Sequence, residues 1–101
     1  MNKKNLAQEI LKTAIDEYNE INVNKIYFNE NAELYGANGV LDSLGLVSLI
    51  VIVEEIIENK LSLSITLAND KAFSQSKSPF STINSFINYV DEIINEELEN
   101  A

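Results

Sequence analysis

The stretch of sequence that decides the fold is LDSLGLVSLIVIVEEIIE, residues 41–58. Its run from Leu46 to Val53 is rich in β-branched residues, which would also suit a buried strand. Two features favour a helix instead. The apolar segment is too long for a typical strand, and it begins after Asp42-Ser43, residues that cap helices, and is followed by glutamates. We therefore predict a helix over residues 43–58 that is apolar on nearly all sides and must be covered.

Two amphipathic helices flank this central one. Apolar residues recur at three- and four-residue spacing within residues 2–20 and again after Ser81-Thr82. The first set is Leu6, Ile10, Leu11, Ala14, Ile15 and Tyr18. The second set is Ile83, Phe86, Ile87, Val90, Ile93, Ile94 and Leu98. A fourth, short helix is expected near residues 67–74, within the connection of residues 59–81, and Ser78-Pro79 stops any element that precedes it.

The first connection, residues 21–42, has no sustained period and is long for a compact domain, so we expect it to cross the bundle or to be functional. The residues expected to pin it to the core are Ile26, Tyr27, Phe28, Leu34 and Tyr35. Its Asn- and Glu-rich residues 29–33 suggest a calcium loop. That alternative fails, because Ala37 and Val40 occupy places where later ligands should be.

The composition excludes several kinds of function. Sixteen acidic residues against seven lysines give a formal net charge of −9, which disfavours nucleic acid and anionic membranes as partners. A chain without Cys or His has no thiolate nucleophile and no ordinary general base near neutral pH. Such an acidic surface suits partners with basic docking faces, although it also simply keeps a protein soluble.

Length and hydropathy favour a single cytoplasmic domain over residues 1–101, with ragged ends at about 1–4 and 96–101. The polar residues from Met1 to Glu9 interrupt any signal-peptide core. No apolar run approaches the ~20 residues that span a bilayer, so no membrane span is expected. We expect a monomer, because each apolar stripe has another helix to cover it.

One short motif, Gly39-Val40-Leu41-Asp42-Ser43-Leu44, opens the most hydrophobic helix. A serine in the first turn projects its hydroxyl into solvent beside unpaired N–H groups, where the helix dipole favours an anion such as phosphate. Asp42 is placed to cap the helix, and Leu44 would offer an apolar side chain for contact beside the serine. A plain helix cap, worth ~1 kcal/mol, is the common alternative for an Asp-Ser pair.

The run from Leu41 to Ile50, with the pair Glu54-Glu55 after it, resembles the modification site and second helix of acyl carrier proteins. The Asp-Ser-Leu core, Val47, Leu49 and the glutamate pair fall in register with that family. The order of helices and loops agrees with that family independently of the motif, and the resemblance covers roughly residues 5–95. It implies an all-α four-helix bundle of the acyl-carrier type, with three long helices, one short helix and a long first loop.

The resemblance also implies a function. A phosphopantetheinyl transferase would attach 4′-phosphopantetheine to Ser43, with Asp42 and Leu44 completing the cofactor site. The arm would carry an acyl or aminoacyl thioester, loaded by a ligase and passed to synthases or transferases of fatty-acid, polyketide, peptide or related specialised biosynthesis. The chain would then be no enzyme, which accounts for its missing Cys and His.

Further roles carried over from the family concern the partners and the cargo. Partner docking is implied at Leu44, Val47, Glu54 and Glu55. The candidate acyl pocket consists of Leu46, Val47, Ile50, Leu61, Ile65 and Phe73. For these six residues, plain core packing is the alternative.

The chain departs from fatty-acid carriers at two positions of the motif helix. Those carriers usually have acidic residues where this chain has Gly45 and Ser48, and residues 59–81 are longer than usual. The stretch 69–80 looks like carriers of specialised or surface-polysaccharide pathways. We therefore expect an aminoacyl or other small acyl cargo to be as compatible with this chain as a fatty acyl group.

Two other classes of protein compete with the carrier. The first is a non-enzymatic, acidic helical interaction domain without a prosthetic group, which explains the charge and the apolar helix but leaves the motif to chance. The second is a small hydrolase with Ser43 as nucleophile. It lacks a His, and Lys60, Lys71 or Lys77 would serve only if buried beside the serine.

Overall fold

Three long helices make up most of the computed structural model, which describes residues 3–23, 25–29, 31–36, 39–68 and 79–100. The helices are α1 (Lys3–Ile21), α2 (Ser43–Leu61) and α3 (Ile83–Asn100). No strand forms among the described residues, which contain only isolated bridges between Glu33 and Thr82 and between Tyr35 and Leu41. The radius of gyration is 12.8 Å, close to the ~13 Å of a globular chain of this length.

The prediction of an all-helical fold is confirmed for the described residues, and the three long helices lie where periodicity placed them. The second helix runs three residues beyond the predicted end at residue 58. The fourth helix near residues 67–74 stays a prediction. Leu67 and Ala68 lie outside a helix, and residues 69–74, including Phe73, fall outside the described residues.

Helix α2 is capped at both ends by its own neighbours in sequence. The Asp42 carboxylate accepts a hydrogen bond of 2.8 Å from the N–H of Gly45, which satisfies one of the first-turn donors. At the other end Ser62 adopts a left-handed conformation, with φ of 55°, and its N–H donates to the carbonyl of Glu58. The predicted role of Asp42 as the helix cap is therefore confirmed.

Side chains also cap the C-terminal end of α1 and the N-terminal end of α3. The Asn22 amide and the Lys25 ammonium donate to the carbonyls of Tyr18 and Asn19, which lie in the last turns of α1. At the start of α3, Thr82 and Ser85 each accept a hydrogen bond from the other's backbone N–H, as in a capping box. These contacts satisfy backbone groups at the end of α1 and at the start of α3.

The core forms around α1, which packs against both α2 and α3. One face of each helix contributes apolar side chains, and the buried positions among the described residues carry no charged group. The connections add the side chains of Ile26, Leu34, Leu41, Ile65, Leu67 and Phe80. Phe80 meets the rings of Phe86 and Tyr89 edge-on, at centroid distances of 5.1 and 5.7 Å.

The first connection crosses from the end of α1 to the start of α3 and returns to α2. The Asn19 amide holds Ile26 through both its backbone N–H and its carbonyl, each at 2.7 Å. Further along, the N–H of Leu34 donates to the Ser81 carbonyl at 2.7 Å, and the N–H of Leu41 donates to the Leu34 carbonyl at 2.8 Å. This path carries the chain across the bundle and delivers it to the first residue of α2.

Among the residues expected to pin this connection, four contact the core, since Ile26 and Leu34 are buried and Phe28 and Tyr35 are half-buried. The prediction for Tyr27 was wrong, because its side chain is 81% exposed. Phe28 is held by the Lys12 ammonium, which lies 5.5 Å from its ring centroid. Apolar periodicity could not distinguish the exposed Tyr27 from the aromatic residues that pack on the core, because residues 21–42 have no sustained period.

Within the described part of the chain, none of the helices combines the length and the hydropathy that a membrane crossing requires.

Candidate functional site

The predicted attachment residue, Ser43, is the first residue of α2, and its side chain is exposed. Asp42 caps the helix before it, and Leu44 after it is 79% exposed. The first N–H groups of any helix lack intrahelical acceptors and carry its positive dipole end. The structure therefore brings the three motif residues together on the surface, at the N-terminal end of α2.

One neighbour of Ser43 comes from the first connection. The phenolic oxygen of Tyr35 lies 3.3 Å from Ser43 Oγ, within reach of a weak hydrogen bond in which either hydroxyl donates. Sequence reasoning missed this residue as part of the site. Eight positions separate the two residues along an irregular segment, and no spacing rule joins them.

Two glycines shape the loop that presents Tyr35. Gly36 has φ of +135°, a conformation that residues with a side chain rarely adopt. A Cβ on Gly39 would lie 2.6 Å from both the Leu34 carbonyl oxygen and the Tyr35 nitrogen, so the close approach requires glycine. The two glycines thus hold the backbone of Tyr35 near the start of α2.

A cleft of about 360 Å³ lies beside the site, between the end of α1 and the start of α2. Its lining residues are Tyr18, Asn22, Val23, Val40, Asp42, Leu44, Gly45 and Ser48. Burial and the nearby Asp42 carboxylate together raise the pKa of Tyr18, with burial the larger cause. The phenol at this cleft therefore stays neutral to a higher pH than an ordinary tyrosine does.

The packing around position 45 explains why a glycine stands there, which the sequence alone did not show. A Cβ there would lie 3.0 Å from Tyr18 Oη and 3.2 Å from Asp42 Oδ1. A carboxylate side chain, as in fatty-acid carriers, would crowd a buried phenol and an existing negative charge. The contacts with Tyr18 and Asp42 thus account for a glycine at this position, where fatty-acid carriers usually have an acidic residue.

Of the four predicted docking residues, three are exposed and one, Glu54, accepts a hydrogen bond within the fold. Leu44, Val47 and Val51 form an exposed apolar stripe on α2 at helical spacing, and Glu55 is exposed beyond it. Val51 was not predicted as part of this surface. Glu54 is half-buried, and its Oε2 accepts a hydrogen bond of 2.7 Å from the N–H of Leu67.

Most residues of the candidate acyl pocket lie within the packed core. Leu46, Ile50 and Ile65 are buried, and Leu61 packs half-buried against them. Val47, the remaining described member, is 53% exposed on the other side of the helix. The described cleft beside Ser43 is lined by other residues.

A lysine base for Ser43 finds no support in the described residues. Lys60 is exposed in the last turn of α2, and seventeen residues of helix place it about 25 Å from Ser43. Lys71 and Lys77 fall outside the described residues. The hydrolase alternative therefore loses the candidate base on α2.

Comparisons of the chain with protein-family models, with curated proteins and with solved structures find no match.

Proposed function

We propose that this chain is a carrier protein that holds a 4′-phosphopantetheine arm on Ser43 and presents an acyl or aminoacyl thioester to partner enzymes. The observation that carries the proposal is the exposed Ser43 hydroxyl at the first residue of α2, inside a motif that resembles the acyl-carrier modification site. The proposed fold is the four-helix bundle of that family, with its short helix in the connection after α2.

The residues around Ser43 suit the attachment reaction. Ser43 Oγ would form a bond to the phosphorus of coenzyme A that carries pantetheine, and the bond from that phosphorus to the bridging oxygen would break. Adenosine 3′,5′-bisphosphate leaves with that oxygen, and the hydroxyl proton passes to a base of the transferase. The chain contributes an accessible hydroxyl and the positive end of α2, which favours the phosphate.

When attached, the arm supplies the thiol that the chain itself lacks. The role left to the chain's own residues is to present Ser43 and to dock partners. The exposed stripe of Leu44, Val47 and Val51 next to Ser43 offers an apolar contact, and Glu55 adds negative charge. We propose that basic docking faces of the transferase, the loading ligase and the downstream enzymes meet this surface.

The packing favours a small cargo. Leu46, Ile50 and Ile65, three of the described members of the candidate acyl pocket, are buried in the core. A long acyl chain would have to displace them, whereas an aminoacyl or short acyl group needs no such opening. Gly45 and Ser48 also depart from the pattern of fatty-acid carriers. The proposed pathway is therefore a specialised one outside primary fatty-acid synthesis.

The test is the intact mass of the chain after incubation with coenzyme A and a broad-specificity phosphopantetheinyl transferase. We expect a gain of one phosphopantetheine in the unaltered chain and none in Ser43→Ala. Ser48→Ala is the matched control, because Ser48 is an exposed serine on the next turn of α2 and lines the neighbouring cleft. It should gain the same mass as the unaltered chain.

The acidic interaction domain without an arm is the second candidate, and the exposed apolar stripe on α2 would serve it equally well. No mass gain, or a gain that survives Ser43→Ala, would reject the carrier and favour this candidate. A gain lost in both serine variants would point to a damaged α2 rather than to a specific site.

A further inference from the structure

The hydroxyl pair of Tyr35 and Ser43 joins two parts of the chain at the proposed attachment point. Their oxygens are 3.3 Å apart, whereas hydroxyl hydrogen bonds typically measure about 2.7–2.8 Å. The contact between the two neutral groups is therefore weak. It nevertheless places a hydroxyl donor beside the one atom that the proposed function modifies.

Tyr35 is held in this place by its backbone. Its N–H lies 3.4 Å from the Ser81 carbonyl, which also accepts from Leu34, and Tyr35 forms a bridge with Leu41 just before α2. Gly39 packs so closely on the Leu34–Tyr35 peptide that a Cβ there would collide with its backbone atoms. The side chain is half-buried, in contrast to that of Tyr27 in the same connection, which is 81% exposed.

We infer that Tyr35 is a ligand of the phosphate attached to Ser43, and that its phenol donates a hydrogen bond to a phosphodiester oxygen. The inference rests on the proposed function. Phosphate oxygens are charged acceptors and take shorter, stronger hydrogen bonds than a neutral hydroxyl does. Because the phosphorus is bonded to Ser43 Oγ itself, its oxygens lie close to an atom that the phenol already approaches.

A consequence is that the contact strengthens on modification. In the unmodified chain, loss of the Tyr35 hydroxyl removes only a weak neutral pair. In the modified chain, the same change removes a charge-assisted hydrogen bond, although the arm remains attached through Ser43 Oγ. Tyr35→Phe should therefore alter the surroundings of the phosphate without preventing modification.

The test is the phosphorus-31 NMR spectrum of the modified chain, with Tyr35→Phe and the matched control Tyr27→Phe. Each protein is first shown by intact mass to carry one phosphopantetheine, and by its amide spectrum to be folded. We expect the phosphorus resonance of Tyr35→Phe to shift from that of the unaltered chain, and the resonance of Tyr27→Phe to coincide with it.

A second measurement needs no substitution and so covers a Tyr35→Phe chain that fails to fold. In the modified, unaltered chain we expect nuclear Overhauser effects between the Tyr35 ring protons and the arm's first methylene group. Phosphorus resonances that coincide in all three proteins, or the absence of these effects, would overturn the role of Tyr35 and leave the carrier function standing. No mass gain in the unaltered chain would overturn both.

Discussion

The Glu54 carboxylate on α2 accepts a hydrogen bond of 2.7 Å from the backbone N–H of Leu67, thirteen residues further along the chain. The carbonyl of the same Leu67 accepts a hydrogen bond of 2.8 Å from the buried phenol of Tyr89 on α3. Both backbone groups of Leu67 are thus satisfied by side chains of different helices. This arrangement ties the connection after α2 to the helices on either side of it.

The first prediction concerns the glutamate pair. Glu54→Ala should lower the free energy of unfolding by about 1–3 kcal/mol, because it leaves the N–H of Leu67 without its acceptor. Glu55→Ala is the matched control, since Glu55 is exposed, and should change it by less than about 0.5 kcal/mol. Urea unfolding of both variants provides the measurement. Equal losses would show that the Glu54 contact contributes nothing specific.

The second prediction compares two glycines. Gly39→Ala should lower the free energy of unfolding by about 1–3 kcal/mol, because the new methyl group would meet backbone atoms of Leu34 and Tyr35 that cannot move aside. Gly45→Ala should lower it by less. Its Cβ meets side-chain atoms at 3.0–3.2 Å, and alanine favours the helix by about 1 kcal/mol over glycine. Thermal or urea unfolding that ranks them in the opposite order would contradict this packing.

Sequence patterns predicted the three long helices and the exposure of Ser43, because helical periodicity and capping are local properties. Tertiary contacts could not be predicted in this way. Nothing in the spacing of Tyr35 and Ser43, or of Glu54 and Leu67, indicates that they meet. The apolar pattern predicted an end at residue 58, yet α2 continues to Leu61, which packs half-buried against the core, and the left-handed Ser62 then caps it.

The third prediction is a pH dependence that arises from Tyr18. Burial and the Asp42 charge raise the pKa of Tyr18 in the folded chain above its ordinary value of 10.0. The unfolded chain therefore loses this proton first as the pH rises. The stability that the neutral phenol provides is fully present below about pH 10 and is lost as the pH rises through the folded-state pKa.

Unfolding free energies measured between about pH 9 and about pH 11 test this dependence. The decline should be shallower in Tyr18→Phe than in the unaltered chain, whereas Tyr27→Phe, at an exposed position, should leave the slope unchanged. Identical slopes in all three proteins would mean that Tyr18 titrates alike in the folded and unfolded states.

The fourth prediction concerns docking. Leu44→Ala and Val47→Ala remove exposed apolar contacts, so stability should change by less than about 0.5 kcal/mol. The kcat/KM of arm transfer by a phosphopantetheinyl transferase should fall roughly fivefold or more if these residues anchor the partner. Leu98→Ala, at an exposed apolar position on α3, is the control and should keep the original kcat/KM. A matching fall in the control would argue against a specific docking stripe.

The most direct test of the carrier function is the mass of the chain purified from the cells that make it, followed by fragmentation to locate any added group. We predict a species heavier by one phosphopantetheine, with the addition confined to the peptide that contains Ser43. A chain that carries no such group, or that carries it on another residue, would contradict the central claim.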